Sequence, residues 1–235
     1  MFGIYAIGLV FMLISWLVSN RLKSKFAEYS KVGLSNGLSG AEIAKKMLND
    51  NGIFDVRITQ VDGQLTDHYN PADKTVNLSS DVYSGRSVSA VAVAAHECGH
   101  AVQHASAYAA LKLRSTLVPA VNIASNVMNY ANMFLFMGLG VSMSRGSSFG
   151  SIILMVVIVA NLALTAFALI TLPVEYDASN RAMAWMKDKG IVNDREFDGA
   201  KDALTWASRT YLVAALGAVA NLAYYLSMFL GRRND

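Results

Sequence analysis

The sequence predicts a mostly helical membrane protein with a small β-sheet and about four transmembrane helices. Hydrophobic residues make up 54% of the 235-residue chain and charged residues only 16%, whereas soluble domains carry about a quarter charged residues. Several long segments contain no charged side chain. Between them, short segments alternate apolar and polar residues as half-buried strands do. These observations favour lipid-embedded helices joined to a compact polar region.

The uncharged segments predict the membrane crossings, because each is about as long as the ~20 residues that span a bilayer, or longer. Arg21, Lys23 and Lys25 follow the first segment, which therefore reads as an anchor, whereas a cleaved signal peptide carries its positive charge first. Arg145 separates the second and third segments, which predict a membrane hairpin. The segments are residues 1–20, 115–144, 146–174 and 210–231.

The polar region after the first crossing predicts a helix and two strands. Ser39 and Glu42 have the spacing of a capping box, so a helix should follow them and end near Gly52. Residues 54–61 and 74–79 alternate apolar and polar side chains, as strands do. A proline-free, alanine-rich run then predicts a long helix over 87–114, and two further helices should begin near residues 175 and 193.

The predicted 87–114 helix carries the sequence His96-Glu97-Cys98-Gly99-His100. Residues four apart lie on one helix face, so His96 and His100 can direct their imidazoles at one point, as zinc ligands do. Glu97 lies beside them and could take a proton from an attacking water. Two ordinary surface histidines are the alternative. The apolar run 88–95 argues against it, because unpaired histidines next to a buried helix half would be costly.

The third zinc ligand has several candidates. They are His68, His104, Glu175 and Asp177. His104 continues the same helix face, but a helix rises about 6 Å per four residues, so three members of one stripe cannot reach one ion. His68 lies in a predicted turn. These considerations favour Glu175, at the first turn of the helix after the third crossing.

The stretch 95–104, the uncharged pair of segments and the stretch 172–182 together resemble the bacterial neutral zinc metallopeptidases of the YugP type, relatives of the HtpX and Ste24 membrane peptidases. The resemblance covers nearly the whole chain. It implies a membrane-embedded, gluzincin-like zinc metallopeptidase with Zn²⁺ as its cofactor. The implied zinc ligands are His96, His100 and Glu175, and the implied catalytic base is Glu97.

Supporting roles are less defined by the resemblance. HtpX-type proteins carry an aspartate where this chain has Ser179. The role of that aspartate falls here to Asp177, to Ser179 or to no residue. The candidates for stabilising the oxyanion are Tyr211, Arg181 and His104. The resemblance also predicts that an edge strand holds the substrate by main-chain pairing, with a purely structural strand as the alternative. Its residues would be Thr75, Val76, Asn77 and Leu78.

The sequence predicts five segments in chain order. They are an anchor over 1–20, a catalytic region over 21–114 with the edge strand and the histidine helix, a transmembrane hairpin over 115–174, a catalytic helix pair over 175–209 with the third ligand, and a fourth crossing with a tail over 210–235. The excess of lysine and arginine in the polar regions predicts that both catalytic segments face the cytoplasm.

The predicted function is a membrane-bound zinc endopeptidase of a bacterial cell membrane, acting on membrane or membrane-proximal proteins, with membrane protein quality control as one role. A catalytically idle scaffold with a retained zinc, or an intramembrane protease, are the alternatives. The predicted partners are a protein or peptide substrate, the membrane, and a second subunit or membrane protein. Nucleic acid is not expected, because no basic patch with interleaved aromatics is present.

A polar stripe interrupts the second uncharged segment. Asn122, Asn126, Asn129 and Asn132 recur at steps of four, three and three, within about 120° of one another on a helix. Two interpretations stay open. The stripe could make hydrogen bonds to other helices, with Asn161 and Asn221 as partners, or it could line a water-containing groove leading toward the zinc.

Overall fold

The computed structural model describes residues 2–136 and 148–231. These residues are mostly helical with one small sheet, as predicted. The helices are α1 Phe2–Tyr29, α2 Gly40–Asp50, α3 Ser80–Tyr83, α4 Val88–Ala105, α5 Ala109–Phe136, α6 Ser148–Asp188 and α7 Asp194–Gly231. The strands are β1 Arg57–Val61, β2 His68–Asn70 and β3 Thr75–Ser79.

The chain divides into two compact units, each built from separate stretches of sequence. The first comprises Met1–Ser15, Leu113–Leu172 and Tyr211–Asp235, and the second comprises Trp16–Lys112 and Pro173–Thr210. We call them the helical unit and the mixed unit, because the second contains the sheet. The histidine motif and Glu175 both belong to the mixed unit.

Three helices in the described parts of the chain are long and apolar enough to cross a membrane: Gly3–Tyr29, Gly150–Asp188 and Asp194–Gly231. The prediction of four such helices is therefore corrected to three. The first arm of the predicted hairpin, within α5, is absent from this set, because its four asparagines lower its hydropathy. The end of that arm, over 137–144, and the turn at Arg145 lie outside the described residues.

The last two membrane helices are longer than predicted. α6 continues without interruption from Ser148 to Asp188, although the sequence predicted a break before Glu175. Pro173 lies inside α6 and removes one main-chain hydrogen bond, a loss that long membrane helices tolerate. α7 likewise continues to Gly231 past the boundary predicted at residue 210. Each of these helices therefore contributes residues to both units.

Local signals placed α2 correctly. Ser39 accepts a hydrogen bond from the Glu42 main-chain nitrogen, and the Glu42 carboxylate accepts one from the Ser39 nitrogen, so the predicted capping box is present. The predicted 87–114 helix, in contrast, is two helices. Ala107 has a positive φ of 51° between α4 and α5, which ends α4.

The sheet has the order β1-β3-β2, with β1 parallel and β2 antiparallel to β3. The predicted edge strand, Thr75 to Leu78, is therefore wrong as an edge, because β3 is central and pairs on both sides. The prediction missed β2, since its short sequence His68-Tyr69-Asn70 precedes Pro71 and reads as a turn. The free edges of the sheet belong to β1 and β2.

Candidate metal centre

α4 presents the two motif histidines from a buried helix. Val91, Ala92, Ala94 and Ala95 are fully buried in the core of the mixed unit, so the helix is held firmly behind the motif. The rings of His96 and His100 lie edge to face, with centroids 4.8 Å apart. The i, i+4 spacing thus brings both imidazoles together as predicted.

Glu175 of α6 meets both imidazoles. Its Oε2 atom lies 3.3 Å from His96 Nε2 and 3.5 Å from His100 Nε2. A tetrahedral zinc with bonds of about 2.0–2.1 Å separates its ligand atoms by about 3.3–3.4 Å. The donor atoms of these three residues all lie within 4.8 Å of one another. The nitrogen and oxygen donors and their spacing therefore fit a zinc ion.

A close approach of α4 and α6 makes this convergence possible. A Cβ atom at Gly99 would lie 2.5 Å from the main-chain oxygen of Ala178. Real Cβ atoms do not come that close to a backbone oxygen. Glycine at this position allows the two helices to approach until Glu175 reaches the histidines.

Each histidine is oriented by a partner at its other ring nitrogen. His96 Nδ1 lies 3.0 Å from Ser179 Oγ, and His100 Nδ1 lies 3.0 Å from Gln103 Oε1. Hydrogen bonds at Nδ1 leave the Nε2 lone pairs directed at the point that Glu175 also faces. Such partners fix the tautomer and the ring orientation of metal-binding histidines.

Gln103 is the centre of the buried polar network behind His100. It is fully buried, and its Nε2 donates to the Val174 carbonyl at 2.7 Å and to Asp177 Oδ2 at 2.8 Å. Because both donor hydrogens are used, Oε1 is left to accept from His100. Arg181 Nε donates to the same Asp177 oxygen at 2.6 Å. Asp177 thus acts on His100 through Gln103, whereas Ser179 contacts His96 directly.

The candidate base, Glu97, is buried beside the histidines but outside the group of donor atoms. Its Oε2 accepts a hydrogen bond of 3.0 Å from the main-chain nitrogen of Tyr69 in β2. The edge strand β2 therefore runs next to the carboxylate of Glu97.

The electrostatics of the centre favour positive charge. Burial disfavours the charged form of His100, but its hydrogen bond with Glu175 and the negative charges of Glu97 and Glu175 outweigh burial and raise its pKa above the ordinary value. A site that stabilises a proton on a buried imidazole also suits a cation.

His68 and His104 do not belong to the group of donor atoms, and Arg181 has other partners. His104 Nδ1 lies 2.8 Å from the Tyr69 hydroxyl, and the Arg181 guanidinium lies 5.8 Å from the centre of the Tyr108 ring. His68 is exposed and contacts the Thr66 carbonyl. Tyr211 belongs to the helical unit. The central strand β3 does not contribute a free edge here.

Sequence reasoning missed Gln103 and Tyr69. Gln103 could have been found, because it lies three residues after His100 and hence on the same helix face. Tyr69 carried no such signal, since its part in the site comes from the main chain of a strand that the sequence did not reveal.

Comparison with known proteins agrees with this geometry. The sequence matches the family described as "Putative neutral zinc metallopeptidase" over residues 4–230. It is 42% identical over 223 residues, or 94% of each chain, to the protein of Bacillus subtilis (strain 168) named "Putative membrane protease YugP". No solved structure matches the chain. Because the family match covers almost the whole sequence, this chain belongs to the family of neutral zinc metallopeptidases.

Proposed function

We propose that this protein is a membrane-bound zinc endopeptidase of the gluzincin type. The observation that carries the proposal is the convergence of His96 Nε2, His100 Nε2 and Glu175 Oε2 from two helices at zinc-ligand spacing. Three protein ligands leave a fourth position for water or substrate, as in catalytic zinc sites, whereas structural sites use four protein ligands. This count favours an enzyme over an idle scaffold.

In the proposed reaction, zinc supplies Lewis acidity toward the scissile carbonyl and the attacking water. Glu97 takes the proton of that water as its oxygen bonds to the carbonyl carbon. When the carbon–nitrogen bond breaks, Glu97 passes the proton to the leaving amine. Ser179 and Gln103 hold the imidazoles, and Asp177 with Arg181 holds Gln103. His104, Arg181 and Tyr211 remain the candidates for oxyanion stabilisation.

We propose β2 as the strand that holds the substrate, in place of β3. β2 is a sheet edge, and the Tyr69 main-chain nitrogen lies 3.0 Å from the Glu97 carboxylate. An extended peptide added to this edge would have its main chain beside the base. Pairing through main-chain groups tolerates varied side chains, so we expect broad sequence specificity.

The substrates that we propose are membrane-anchored or membrane-proximal proteins. The third ligand lies on α6, which is also a candidate membrane span, so the site is tied to the bilayer. α4 itself is packed in the core of the mixed unit and is absent from the candidate spans in the described residues. These observations favour cleavage at the membrane surface over cleavage within it, and the charge distribution favours the cytoplasmic surface.

The test is a comparison of zinc content and hydrolysis in the full-length protein purified in detergent. Glu97→Gln should keep the zinc and lose hydrolysis of an unfolded peptide, because an amide cannot accept the proton. His96→Ala should lose both zinc and hydrolysis. A Glu97→Gln protein that still hydrolyses peptide at a near-normal rate would refute the assigned base. A wild-type protein that binds zinc but cleaves no peptide would support the idle scaffold.

A further inference from the structure

One face of α5 presents four carboxamides at the surface of the helical unit. Asn122, Asn126, Asn129 and Asn132 are all exposed, and we call them the asparagine face. The opposite side of α5 is the packed one: Ala124 is buried, and Met128 and Ala131 contact the cluster of Leu154, Val157 and Tyr225. Asn122, Asn126 and Asn129 thus point away from the packed side of α5, whereas Asn132 also lines a cavity with Asn221 of α7.

Packing places this face at the level of the membrane. The cluster that contacts Met128 also includes Ile4 of α1, with Leu154 and Val157 of α6 and Tyr225 of α7. All three helices are candidate membrane spans, and these residues lie in their apolar parts. Asn126 and Asn129 flank Met128 in sequence, so they lie at the same depth.

The length of α5 also allows it to cross the bilayer. α5 has 28 residues, or about 42 Å of helix, which exceeds the ~30 Å hydrocarbon core.

The four carboxamides make no hydrogen bond to any residue within 2–136 or 148–231. Of the two partners that the sequence suggested, Asn161 donates to the Val157 carbonyl and contacts the Met128 sulfur. Asn221 lines one cavity together with Asn132, but the two carboxamides are not hydrogen-bonded to each other. Polar side chains at this depth avoid lipid and bind other helices or line wet cavities. The described residues supply no hydrogen-bond partner for this face, and a second chain would supply one.

The partner that fits is a helix with the same arrangement. Each carboxamide carries a donor and an acceptor, so the asparagine face is complementary to a copy of itself. Steps of four and three follow the seam of two helices packed with a left-handed twist. A two-fold axis along that seam would pair the stripe with its own copy, which is the usual symmetry of homodimers.

We propose that the asparagine face of α5 is the surface through which two copies of this chain associate in the membrane. The dimer contact consists of carboxamide pairs between the α5 helices, surrounded by exposed apolar side chains such as Ile123 and Tyr130. Hydrogen bonds between asparagines of neighbouring helices hold membrane helices together in this way. The proposal concerns assembly, so it holds or fails independently of the peptidase function.

The first test is cysteine cross-linking of the full-length protein in its membrane. Cys98 is the only cysteine and is fully buried, so each variant gains a single accessible thiol. Asn126→Cys and Asn129→Cys should shift to a dimer band under mild oxidation. The control is Ile152→Cys, whose side chain is 62% exposed on α6 and which should remain monomeric. Equal cross-linking at all three positions, or cross-linking to a different membrane protein, would overturn the proposal.

The second test measures self-association of the same chain in lipid vesicles, by single-molecule photobleaching at increasing dilution. Replacing Asn126 and Asn129 with leucine should raise the dimer dissociation constant about tenfold or more, as expected for lost membrane hydrogen bonds. Ile152→Leu on α6 is the control outside the proposed contact and should leave the constant unchanged. A wild-type chain that is monomeric at every dilution, or a double variant that dimerises normally, would refute the interface.

Discussion

At the scale of single residues, the candidate metal ligands are more predictable than the groups that orient them. His96, Glu97 and His100 were singled out from their spacing alone, because helix periodicity fixes which side chains share a face. Glu175 was harder to single out, since 75 residues that include α5 separate it from His100 along the chain. Gln103 was missed because glutamine is an unremarkable helix residue until its burial is known.

Gln103 provides a test of how the site is held. Gln103→Leu removes the acceptor for His100 Nδ1 and the donors to Val174 and Asp177, while keeping a similar volume. We expect zinc affinity to fall about ten- to a hundredfold, the usual effect of losing such a partner. Competition with a fluorescent chelator measures this change in the full-length protein.

The matched control is His104→Ala, on the same helix and outside the group of donor atoms. It should leave zinc affinity unchanged. If Gln103→Leu binds zinc as tightly as the wild type, the network does not orient His100. If His104→Ala loses the metal instead, the ligand set is wrong.

At the scale of elements, local signals located α2 and two of the strands but did not give the strand order. The predicted strands over 54–61 and 74–79 are present as β1 and β3. The Ser39–Glu42 capping box forms as predicted, and Asn193 with Glu196 forms another at the helix start predicted near residue 193, because each box depends only on neighbouring residues. The role of β3 was predicted wrongly because sheet order depends on which distant strands pair with it. The short strand β2 has almost no sequence pattern, and its existence depends on pairing with β3.

Gly99 allows a prediction about how α4 and α6 form the site. Alanine improves helix propensity over glycine by about 1 kcal/mol. At Gly99, however, its Cβ would meet the Ala178 main-chain oxygen at 2.5 Å, and a backbone atom cannot rotate away. Overpacking of this kind costs about 1–3 kcal/mol. Gly99→Ala should therefore lower the unfolding temperature and weaken zinc binding, because α6 must move away from α4 and carry Glu175 with it.

The control for this prediction is Gly8→Ala in α1, where an added Cβ meets nothing within 4 Å. It should leave both the unfolding temperature and the zinc affinity unchanged or slightly raised. Thermal unfolding in detergent and chelator competition measure the two effects. A Gly99→Ala protein as stable and as well metallated as the wild type would show that the close approach does not determine the site.

At the scale of the whole molecule, the candidate ligands come from two segments that are far apart in the sequence but belong to one compact unit. The histidine helix α4 follows the candidate span α1, and Glu175 lies within α6, another candidate span. If α1 and α6 both cross and the two ligand segments lie on one side of the membrane, we expect a further crossing between α4 and α6. Among the described residues between them, hydropathy identifies no span before α6, because the asparagines lower the hydropathy of α5.

Residues 137–147, between α5 and α6, allow a test of whether α5 crosses the membrane. The single-cysteine variants are Phe54→Cys, at a side chain 79% exposed in the mixed unit, and Ser147→Cys, a position outside the described residues. The positive-inside bias predicts that a membrane-impermeant maleimide labels position 147 in intact cells and position 54 only after permeabilisation. Native Cys98 is fully buried and serves as the unlabelled background. If both positions are protected from labelling in intact cells, α5 does not cross the membrane. If only position 54 is labelled, the mixed unit faces outward. The zinc site would then act on extracytoplasmic proteins.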